Sequence, residues 1–434
     1  MRKKIISLIL ICSIVASISM LFTGCGRNNK LSAVDPLWAA GSERNKIVII
    51  SDIHLGIDDR YSEIILNRPF LIEFLQRLQH TDDVSELVIA GDFLDDWYLP
   101  VFYPSHSDPV KFFKDCIANN QEVIDELNNL ISAGIKVVYV PGNHDLLLES
   151  EVLQEAVPGI VQARDTEGLG AYYTGKNKEI VIEHSHRYDV FSAPDTLTNA
   201  ELCGNEDTIL PAGYFYARYA ATWVLEDSPK LERTLPIVTN IPDKTDIDQY
   251  GAYVYYSIIK NISGHLTIKE GLEEEVFDIR IAGFNDKYTF LDFYPSEQED
   301  GTISAVLFRN IQRTWSERQA LNLVKKPSSF IEATAGALKW TYFFEQAKTQ
   351  YLDNPDENVN IVVFGHTHIP AIRSVGDDKY YVNSGTWVDH SNVFEGPSRH
   401  FAVITVSENN AVALYSYGRD STINDMGQGV SDKP

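Results

Sequence analysis

The sequence is poor in cysteine, with only four in 434 residues. This scarcity excludes the dense disulfide framework that stabilises small secreted domains. Two cysteines lie near the N-terminus, so only Cys116 and Cys203 remain in the body of the chain. One bridge between them stays possible, but their separation excludes a zinc site built from thiolates.

Basic residues are also scarce, since 37 Lys and Arg stand against 61 Asp and Glu. An acidic field of this kind disfavours non-specific binding to nucleic acid and to anionic lipid. We therefore expect no nucleic-acid partner. No low-complexity tract or internal repeat is visible, and the length is sufficient for one large domain or two ordinary ones.

The N-terminus has the pattern of a bacterial export signal. Residues 1–24 combine a basic start with an apolar stretch of signal-peptide length. The residues before Cys25 resemble a lipobox, with Phe22 where Leu is more usual. We expect cleavage before Cys25, lipid on its thiol, a polar tether over residues 25–45, and a lipoprotein at the cell surface or the periplasmic side of a membrane. The alternative is an uncleaved helical anchor, for which the apolar stretch is short.

Strand and helix patterns alternate after residue 45. Strands are expected at 46–51, 86–90, 136–140, 179–184 and 360–366, with helices at 69–78 and 108–133. Such alternation predicts an α/β fold in which helices cover the sheets.

A long segment, 187–357, interrupts this pattern and reads as a mostly helical insertion that caps the site. Helices are expected at 211–227, 246–261 and 328–351, and residues 268–294 also have helical spacing. Its many Tyr, Phe and Trp residues are more typical of a hydrophobic core than of a substrate platform. An insertion beside an active site commonly sets specificity.

Each predicted core strand is followed by residues that can bind a metal or transfer a proton. They are, in order, Asp52 and His54, then Asp92, then Asn143 and His144, then His184 and His186, and finally His366 and His368. Any one of these groups would be an ordinary turn. Five in succession favour a binding site at the carboxyl ends of the strands.

Seven of these side chains are candidate metal ligands: Asp52, His54, Asp92, Asn143, His184, His366 and His368. Imidazole, carboxylate and amide oxygen without thiolate suit Mn, Fe, Zn or Ni. A catalytic ion usually takes about three protein ligands, so this set fits two divalent ions if one carboxylate bridges them. Two such ions polarise a phosphoryl group and generate a hydroxide nucleophile between them, which is the chemistry of phosphoester hydrolysis.

In these motifs the chain resembles the calcineurin-like metallophosphoesterases. That family has Asp-x-His, Gly-Asp, Gly-Asn-His-Asp/Glu, a single His and Gly-His-x-His in this order, and "NSGTW" at residues 383–387 is also similar. The resemblance implies a four-layer α-β-β-α sandwich. Its core would comprise residues 46–186 and 358–420, with 187–357 as the insertion.

The resemblance also implies a role for each residue. Asp52, His54, Asp92 and His368 would hold one metal, while Asp92, Asn143, His184 and His366 would hold the other. His144 would face the substrate and either protonate the leaving group or bind the phosphoryl oxygens. Asp95 matches the carboxylate that orients this His in many members, although it could instead be the N-terminal residue of a helix.

Two histidines compete for one ligand position. His184 and His186 are two residues apart along a strand and could face the same way. We expect His184 to bind the metal because it is nearer the strand, and His186 to line the substrate pocket.

One departure from the family concerns phosphate recognition. Many of its phosphatases have Gly-Asp-x-x-Asp-Arg, whose Arg clamps the phosphate, whereas Asp96 occupies that position here. A carboxylate would repel a dianionic monoester, so a phosphodiester or pyrophosphate is expected over a monoester. "GDFLDDW" resembles the UDP-2,3-diacylglucosamine diphosphatase-like branch. Nucleases of double-strand-break repair share "GDFLD" and "GNHD", but an acidic exported chain does not fit that role.

Two functions of different class follow from these motifs. The first is a dinuclear hydrolase of phosphate esters with His144 as general acid. The second is a surface binding protein that keeps the fold and the metals without turnover. The complete ligand set together with His144 favours the enzyme.

Overall fold

The structure is a computed structural model that describes residues 43–103, 107–229, 235–263, 266, 273–337, 339, 341–376, 378–390 and 398–427. The predicted signal peptide, Cys25 and most of the tether lie outside these residues. Within the described part of the chain, no helix combines the length and the apolar character needed to cross a bilayer.

The described residues form two compact units. The first, here called the sheet unit, comprises residues 43–96, Val110–His186 and residues 341–427. The second, here called the insertion unit, comprises Trp97–Pro109 and Arg187–Lys339.

The strands of the described residues are, in chain order, β1 (Lys46–Ile50), β2 (Val84–Ala90), β3 (Lys136–Val140), β4 (Val161–Gln162), β5 (Tyr172–Thr174), β6 (Ile180–Glu183), β7 (Phe277–Ile279), β8 (Asp286–Tyr288), β9 (Ser296–Glu297), β10 (Ile303–Ser304), β11 (Ile361–Phe364), β12 (Ala371–Ser374), β13 (Tyr380–Asn383), β14 (His400–Thr405), β15 (Ala411–Tyr417) and β16 (Ile423–Asp425). The α-helices are α1 (Arg68–Gln79), α2 (Pro109–Asn119), α3 (Gln121–Ser132), α4 (Ser150–Ala156), α5 (Ala212–Leu225), α6 (Ile247–Ser263), α7 (Ile311–Leu321), α8 (Phe330–Ala337) and α9 (Tyr342–Ala347). A π-helical turn, Lys348–Leu352, continues α9.

Two mixed sheets form the body of the sheet unit. One has seven strands in the order β16-β15-β14-β1-β2-β3-β4, with β1 to β4 parallel. The other has five strands in the order β12-β13-β11-β6-β5, with β13, β11 and β6 parallel. In each sheet, the carboxyl ends of the parallel strands therefore lie along one edge.

The inner faces of the two sheets pack on each other. Alternate residues of β1 and β3, such as Ile49 and Val138, join alternate residues of β6 and β11, such as Ile182 and Val363, in one hydrophobic core. This period of two is what a strand with one face in the core requires. Apolar residues of the opposite faces are buried as well, because helices cover them.

Helices form the two outer layers. On the seven-stranded sheet, α1 and α3 pack together and the Phe74 ring lies 4.8 Å from the Phe401 ring of β14. On the five-stranded sheet, the Phe344 ring of α9 lies 5.5 Å from the Tyr381 ring of β13. The four-layer α-β-β-α sandwich predicted from the sequence is confirmed.

The long helix expected at 108–133 is broken into two helices at Asn120. The side-chain amide of this buried residue donates to the carbonyl oxygens of Gly56, at 3.0 Å, and Cys116, at 2.8 Å. An Asn that bonds to the backbone in this way competes with continued helix. Apolar residues continue at helical spacing on both sides of Asn120, so their pattern did not indicate the break.

The insertion unit is built around α5. All of its residues from Ala212 to Thr222 are buried, and six aromatic rings of the described residues have centroids 5.5–6.3 Å from that of Phe215. The predicted use of the aromatic residues as a hydrophobic core fits this packing. A helix that is buried on all sides does not show the single apolar stripe of an amphipathic helix.

The helical spacing noted in 268–294 was misleading. Its described residues form a short antiparallel pair, β7 and β8, and a single 3-10 turn. Phe277 and Ile279 are buried and Asp278 between them is half-buried, which is the alternation of a strand. Residues 341–357, assigned from the sequence to the insertion, instead belong to the sheet unit as α9 and the π-helical turn.

We expect Ile49→Ala to destabilise the sheet unit by about 2–5 kcal/mol, because it removes a fully buried side chain between the two sheets. Val161→Ala, on the edge strand β4 and 38% exposed, is the control and should change stability by less than about 0.5 kcal/mol. Thermal unfolding of metal-free protein measures both. Equal melting temperatures for the two variants would contradict the packing described here.

Candidate metal centre

The candidate ligands extend from the carboxyl ends of five parallel strands. Asp52 and His54 follow β1, Asp92 follows β2 and Asn143 follows β3 in one sheet, while His184 follows β6, and His366 and His368 follow β11 in the other. All seven are buried. The packing of the two sheets thus brings together residues that are far apart in the chain.

Apart from Asn143, the candidate ligands fall into two groups that share one residue, and a third possible group joins His54 to Asp95 and His144. Asp52, His54, Asp92 and His368 form the first group, and Asp92, His184 and His366 form the second. Within each group, the ligand atoms lie within 4.8 Å of one another. The Asn143 amide oxygen lies 3.1 Å from Nε2 of His184 and so adjoins the second group. Asp92 is the residue that would be shared if each group held an ion.

The hydrogen bonds of the second group fit a cation. Nδ1 of His184 donates to the carbonyl oxygen of Ala90 at 2.8 Å. Its Nε2 therefore points inward, 3.1 Å from Oδ2 of Asp92 and 3.1 Å from Oδ1 of Asn143. A neutral imidazole in this tautomer would present three acceptors to one another, which is the arrangement that a metal ion requires.

The first group shows the same convergence. Nδ1 of His54 lies 2.8 Å from a carboxylate oxygen of Asp95, so Nε2 faces inward, 3.1 Å from Nε2 of His368. Oδ1 of Asp52 is buried without a hydrogen-bond partner in the described part of the chain, and it lies 3.2 Å from the same His368 nitrogen. The residues present therefore fit two divalent cations.

When no cation is bound, protons on the histidines supply the positive charge beside the carboxylates. Burial lowers the pKa of His184, but the charge and hydrogen bond of Asp92 outweigh burial and raise it to about 9. Burial opposes ionisation of Asp92, yet the histidines around it hold its pKa well below the usual range. A metal ion at this position would displace the His184 proton, so binding should release protons.

The backbone is strained at five of the seven ligands. The φ angles are 54° at Asp52, 55° at His54, 51° at Asp92, 70° at His366 and 58° at His368. This left-handed region costs a non-glycine residue on the order of 1–3 kcal/mol, and such residues cluster at functional sites. This backbone conformation directs each side chain back over the end of its strand.

Two glycines allow the loops to approach closely. A Cβ added to Gly91 would lie 2.4 Å from the His184 ring, and one added to Gly142 would lie 2.1 Å from the backbone nitrogen of Asp92. Neither position has room for a side chain. These contacts explain why Gly precedes both Asp92 and Asn143.

The segment "NSGTW" supports Asp52 from behind. Oγ of Ser51 lies 2.7 Å from Oγ of Ser384 and also hydrogen-bonds Oδ2 of Asp52. The Thr386 hydroxyl and the Trp387 N–H both donate to the Asp52 carbonyl oxygen, at 2.9 and 3.1 Å. This segment therefore fixes both the backbone and the side chain of a ligand.

Asp95 lies between two histidines. Its Oδ2 is 2.8 Å from Nδ1 of His54, and its Oδ1 is 3.0 Å from Nδ1 of His144. Burial lowers the pKa of His144, but the charges of Asp95 and Asp92 outweigh burial and raise it to about 10. The same contacts hold the pKa of Asp95 below its usual range despite burial. The alternative role at a helix start does not apply, because residues 95–103 contain no helix.

His186 differs from His184 in where its ring nitrogens point. Its Nε2 donates to the carbonyl oxygen of Gly168 at 2.9 Å, and its Nδ1 is buried without a hydrogen-bond partner in the described residues. Burial and the neighbouring His184 and His366 lower its pKa well below the usual range. The structure places this neutral ring beside the second group, with its centroid 5.3 Å from that of His184, and not within either group.

Two buried carboxylates near the centre were not predicted from the sequence. Oε2 of Glu63 lies 3.6 Å from Nδ1 of His54, and burial raises the pKa of Glu63. No sequence motif marks this residue. Asp145 is wholly buried, and burial together with the charge of Asp92 raises its pKa to about 6. Its position in "PGNHD", after four residues of special type, is a signal that could have identified it.

A protein-family model for calcineurin-like phosphoesterases matches residues 45–370 of the chain. Among solved structures, the chain is similar to a dimetal phosphatase from Danio rerio, with 12% identity, a TM-score of 0.36, and coverage of 92% of this chain and 100% of that one. It is also similar to a Vps29 single mutant from Entamoeba histolytica, with 11% identity, a TM-score of 0.28, and coverage of 88% and 99%. A phosphopantetheinyl hydrolase from Mycobacterium tuberculosis shows 12% identity, a TM-score of 0.24, and coverage of 82% and 99%. No curated protein matches the chain.

We expect Asp92→Ala to leave fewer than two metal ions per chain and to abolish turnover, because one carboxylate oxygen of Asp92 faces both ligand groups. Elemental analysis of the purified variant measures the metal content. Asp82→Ala, an exposed carboxylate before β2, is the control and should retain two ions. Two ions and normal turnover in the Asp92 variant would contradict the bridging position.

Proposed function

We propose that this chain hydrolyses phosphodiesters or pyrophosphates with His144 as general acid. The chain belongs to the calcineurin-like phosphoesterase family and is a metal-dependent phosphoesterase. The observation that carries the proposal is the shared position of Asp95, which contacts the metal-ligand candidate His54 with one oxygen and His144 with the other. The general acid is thereby fixed beside the metal centre.

The metal ligands proposed are those of the two groups, with Asn143 added to the second and Asp92 shared. Two divalent ions bound there would polarise the phosphoryl oxygens and activate water for attack on phosphorus. The candidate metals remain Mn, Fe, Zn and Ni, the ions that suit imidazole, carboxylate and amide oxygen.

His144 supplies the proton for the leaving group. Its Nδ1 lies toward Asp95, so Nε2 is the nitrogen left to donate to a substrate oxygen. The charge of Asp95 favours the imidazolium, and the T-shaped contact with the His54 ring, 4.5 Å between centroids, restricts its orientation. A poorly stabilised alkoxide needs such a donor to leave.

The position of Asp96 in the motif supports a substrate with less negative charge than a phosphomonoester dianion. Asp96, at the position of the family's Arg, is buried, and its N–H donates to the His144 carbonyl oxygen at 3.1 Å. A carboxylate held there repels a dianion more than a monoanionic diester. The likeness of "GDFLDDW" to the UDP-2,3-diacylglucosamine diphosphatase-like branch points the same way.

Hydrolysis of chromogenic substrates by the purified protein with Mn tests this preference. We expect bis(4-nitrophenyl) phosphate to be hydrolysed with a higher kcat/KM than 4-nitrophenyl phosphate, since the monoester carries the additional charge near Asp96. A preference for the monoester would favour the alternative, a phosphomonoesterase. Two bound metals without turnover of either ester or of a pyrophosphate would favour the other alternative, a non-catalytic surface binding protein.

We expect His144→Ala to keep both metals and to lose about 10²–10⁴-fold in rate with alkyl esters, which need general acid assistance. The loss should be far smaller with nitrophenyl esters, because nitrophenolate leaves without a proton. The exposed His80 at the end of α1 provides the control variant, His80→Ala. Equal losses for both leaving groups would show that His144 binds the phosphoryl group instead of donating a proton.

We further propose that the protein is a bacterial lipoprotein anchored by lipid on Cys25, facing the periplasm or the exterior. The basic start, the apolar stretch and the lipobox-like residues support this location. The strongly acidic body gains nothing from anionic lipid, so the acyl chains alone would hold it to the membrane.

Cys25→Ser should therefore release the protein or leave an uncleaved precursor, whereas Cys203→Ser should not change its location. Each buried acyl methylene contributes about 0.8 kcal/mol, and stable anchoring requires more than one chain, so the wild type should resist washing with high salt. Mass spectrometry of the N-terminus and membrane fractionation measure both. An intact Met1 in wild type, with unchanged membrane association of the Cys25 variant, would favour a helical anchor.

A further inference from the structure

Asp145, the last residue of "PGNHD", has no part in the chemistry described above, yet its side chain accepts hydrogen bonds from three backbone N–H groups. Its Oδ1 accepts from the N–H of Gly142 at 2.7 Å, and its Oδ2 accepts from the N–H groups of Phe93 at 2.9 Å and Leu94 at 3.4 Å. The side chain is fully buried. One carboxylate thus joins the loop after β2 to the loop after β3.

This connection between the loop after β2 and the loop after β3, here called the joint, is reciprocal. Oδ1 of Asp92, in the loop after β2, accepts from the N–H of His144 in the loop after β3 at 2.8 Å. Each loop therefore contributes one carboxylate to the backbone of the other. Asp92 has its second oxygen free for the ligand groups, whereas Asp145 uses both oxygens within the joint.

The joint holds the residues on which the second metal position depends. Gly142, bonded by Asp145, immediately precedes Asn143, and Phe93 immediately follows Asp92. Because Gly142 packs against Asp92 with no space for a Cβ, a shift of either loop changes the separation of these two ligands. Of the first group, only Asp92 lies on one of the two joined loops. The loop after β1 contacts them through backbone hydrogen bonds, such as that from the Leu55 N–H to the Phe93 carbonyl oxygen at 3.1 Å.

We infer that Asp145 is a positioning residue that sets the distance between Asp92 and Asn143 and thereby the affinity of the second metal position. The inference rests on the two-metal site of the proposed function. Hydrogen-bonding partners behind metal ligands typically contribute about 10–100-fold to metal affinity. We expect a loss in that range at the second position and little change at the first.

The test is calorimetric titration of Mn into metal-free Asp145→Asn. The amide keeps one acceptor oxygen but turns an NH₂ group toward a backbone N–H, so one side of the joint is lost with almost no change in volume. We expect one of the two Mn affinities to equal that of wild type and the other, that of the second position, to be about 10–100-fold weaker. Excess Mn should then restore turnover.

The matched control is Glu179→Gln. Glu179 also accepts from two backbone N–H groups, those of Lys176 and Asn177, but it lies at the opposite end of β6 from His184. It should lower the melting temperature without altering either Mn affinity. Wild-type affinity at both positions in Asp145→Asn, or equal weakening of both in proportion to lost stability, would overturn the inference.

A second measurement does not depend on any variant. If the joint is built into the fold, hydrogen exchange of metal-free wild type should show protected amides in the peptides that contain Phe93 and Gly142. Rapid exchange there would overturn the inference. If wild type binds two Mn ions but hydrolyses no phosphate ester, the proposed function fails, while the titrations still test the positioning role of Asp145. Wild type that binds no Mn overturns both.

Discussion

The structure depends on the burial of carboxylates and other electron-donating side chains close together at the ends of two packed sheets. Asp52 and Asp92 are buried beside four imidazoles and an amide oxygen, and isolated buried carboxylates would be very costly. Positive charge is required to hold them there, whether it comes from protons on the histidines or from cations. The left-handed ligands, the glycines without space for a side chain and the hydrogen bonds of "NSGTW" all keep these groups in place against their mutual repulsion.

Much of this centre was predictable from the sequence because the residue types are constrained locally. A strand followed at once by Asp, His or Asn indicates where the polar groups lie, and parallel strands align these ends along one sheet edge. The assignment of His184 over His186 as the inward-facing ring could also be anticipated from its nearness to β6. The packing of the two sheets, which places His184 3.1 Å from Asp92, was available only through the resemblance to a family.

Other features could not be predicted, for physical reasons that differ from residue to residue. Glu63 lies near His54 because a loop turns back after Gly56, and no local pattern encodes that contact. Asn120 interrupts a continuous apolar stripe through its own side-chain hydrogen bonds, which periodicity does not record. The strands β7 and β8 are each only three residues long, too short for a period of two to be distinguished from a helical pattern.

The same charge balance explains why the proposed general acid needs a carboxylate of its own. In the absence of metal, both Asp95 and Asp92 favour the protonated form of His144. Cations bound to Asp92 would neutralise its contribution and add positive charge nearby, so they must lower the pKa of His144 from about 10. Asp95 is not among the proposed metal ligands, so bound ions would leave its carboxylate available to Nδ1 of His144, which lies 3.0 Å away. If His144 is the general acid, a carboxylate outside the metal set would allow it to retain a proton beside two cations, and would leave its pKa nearer the range where an acid can both hold and release that proton.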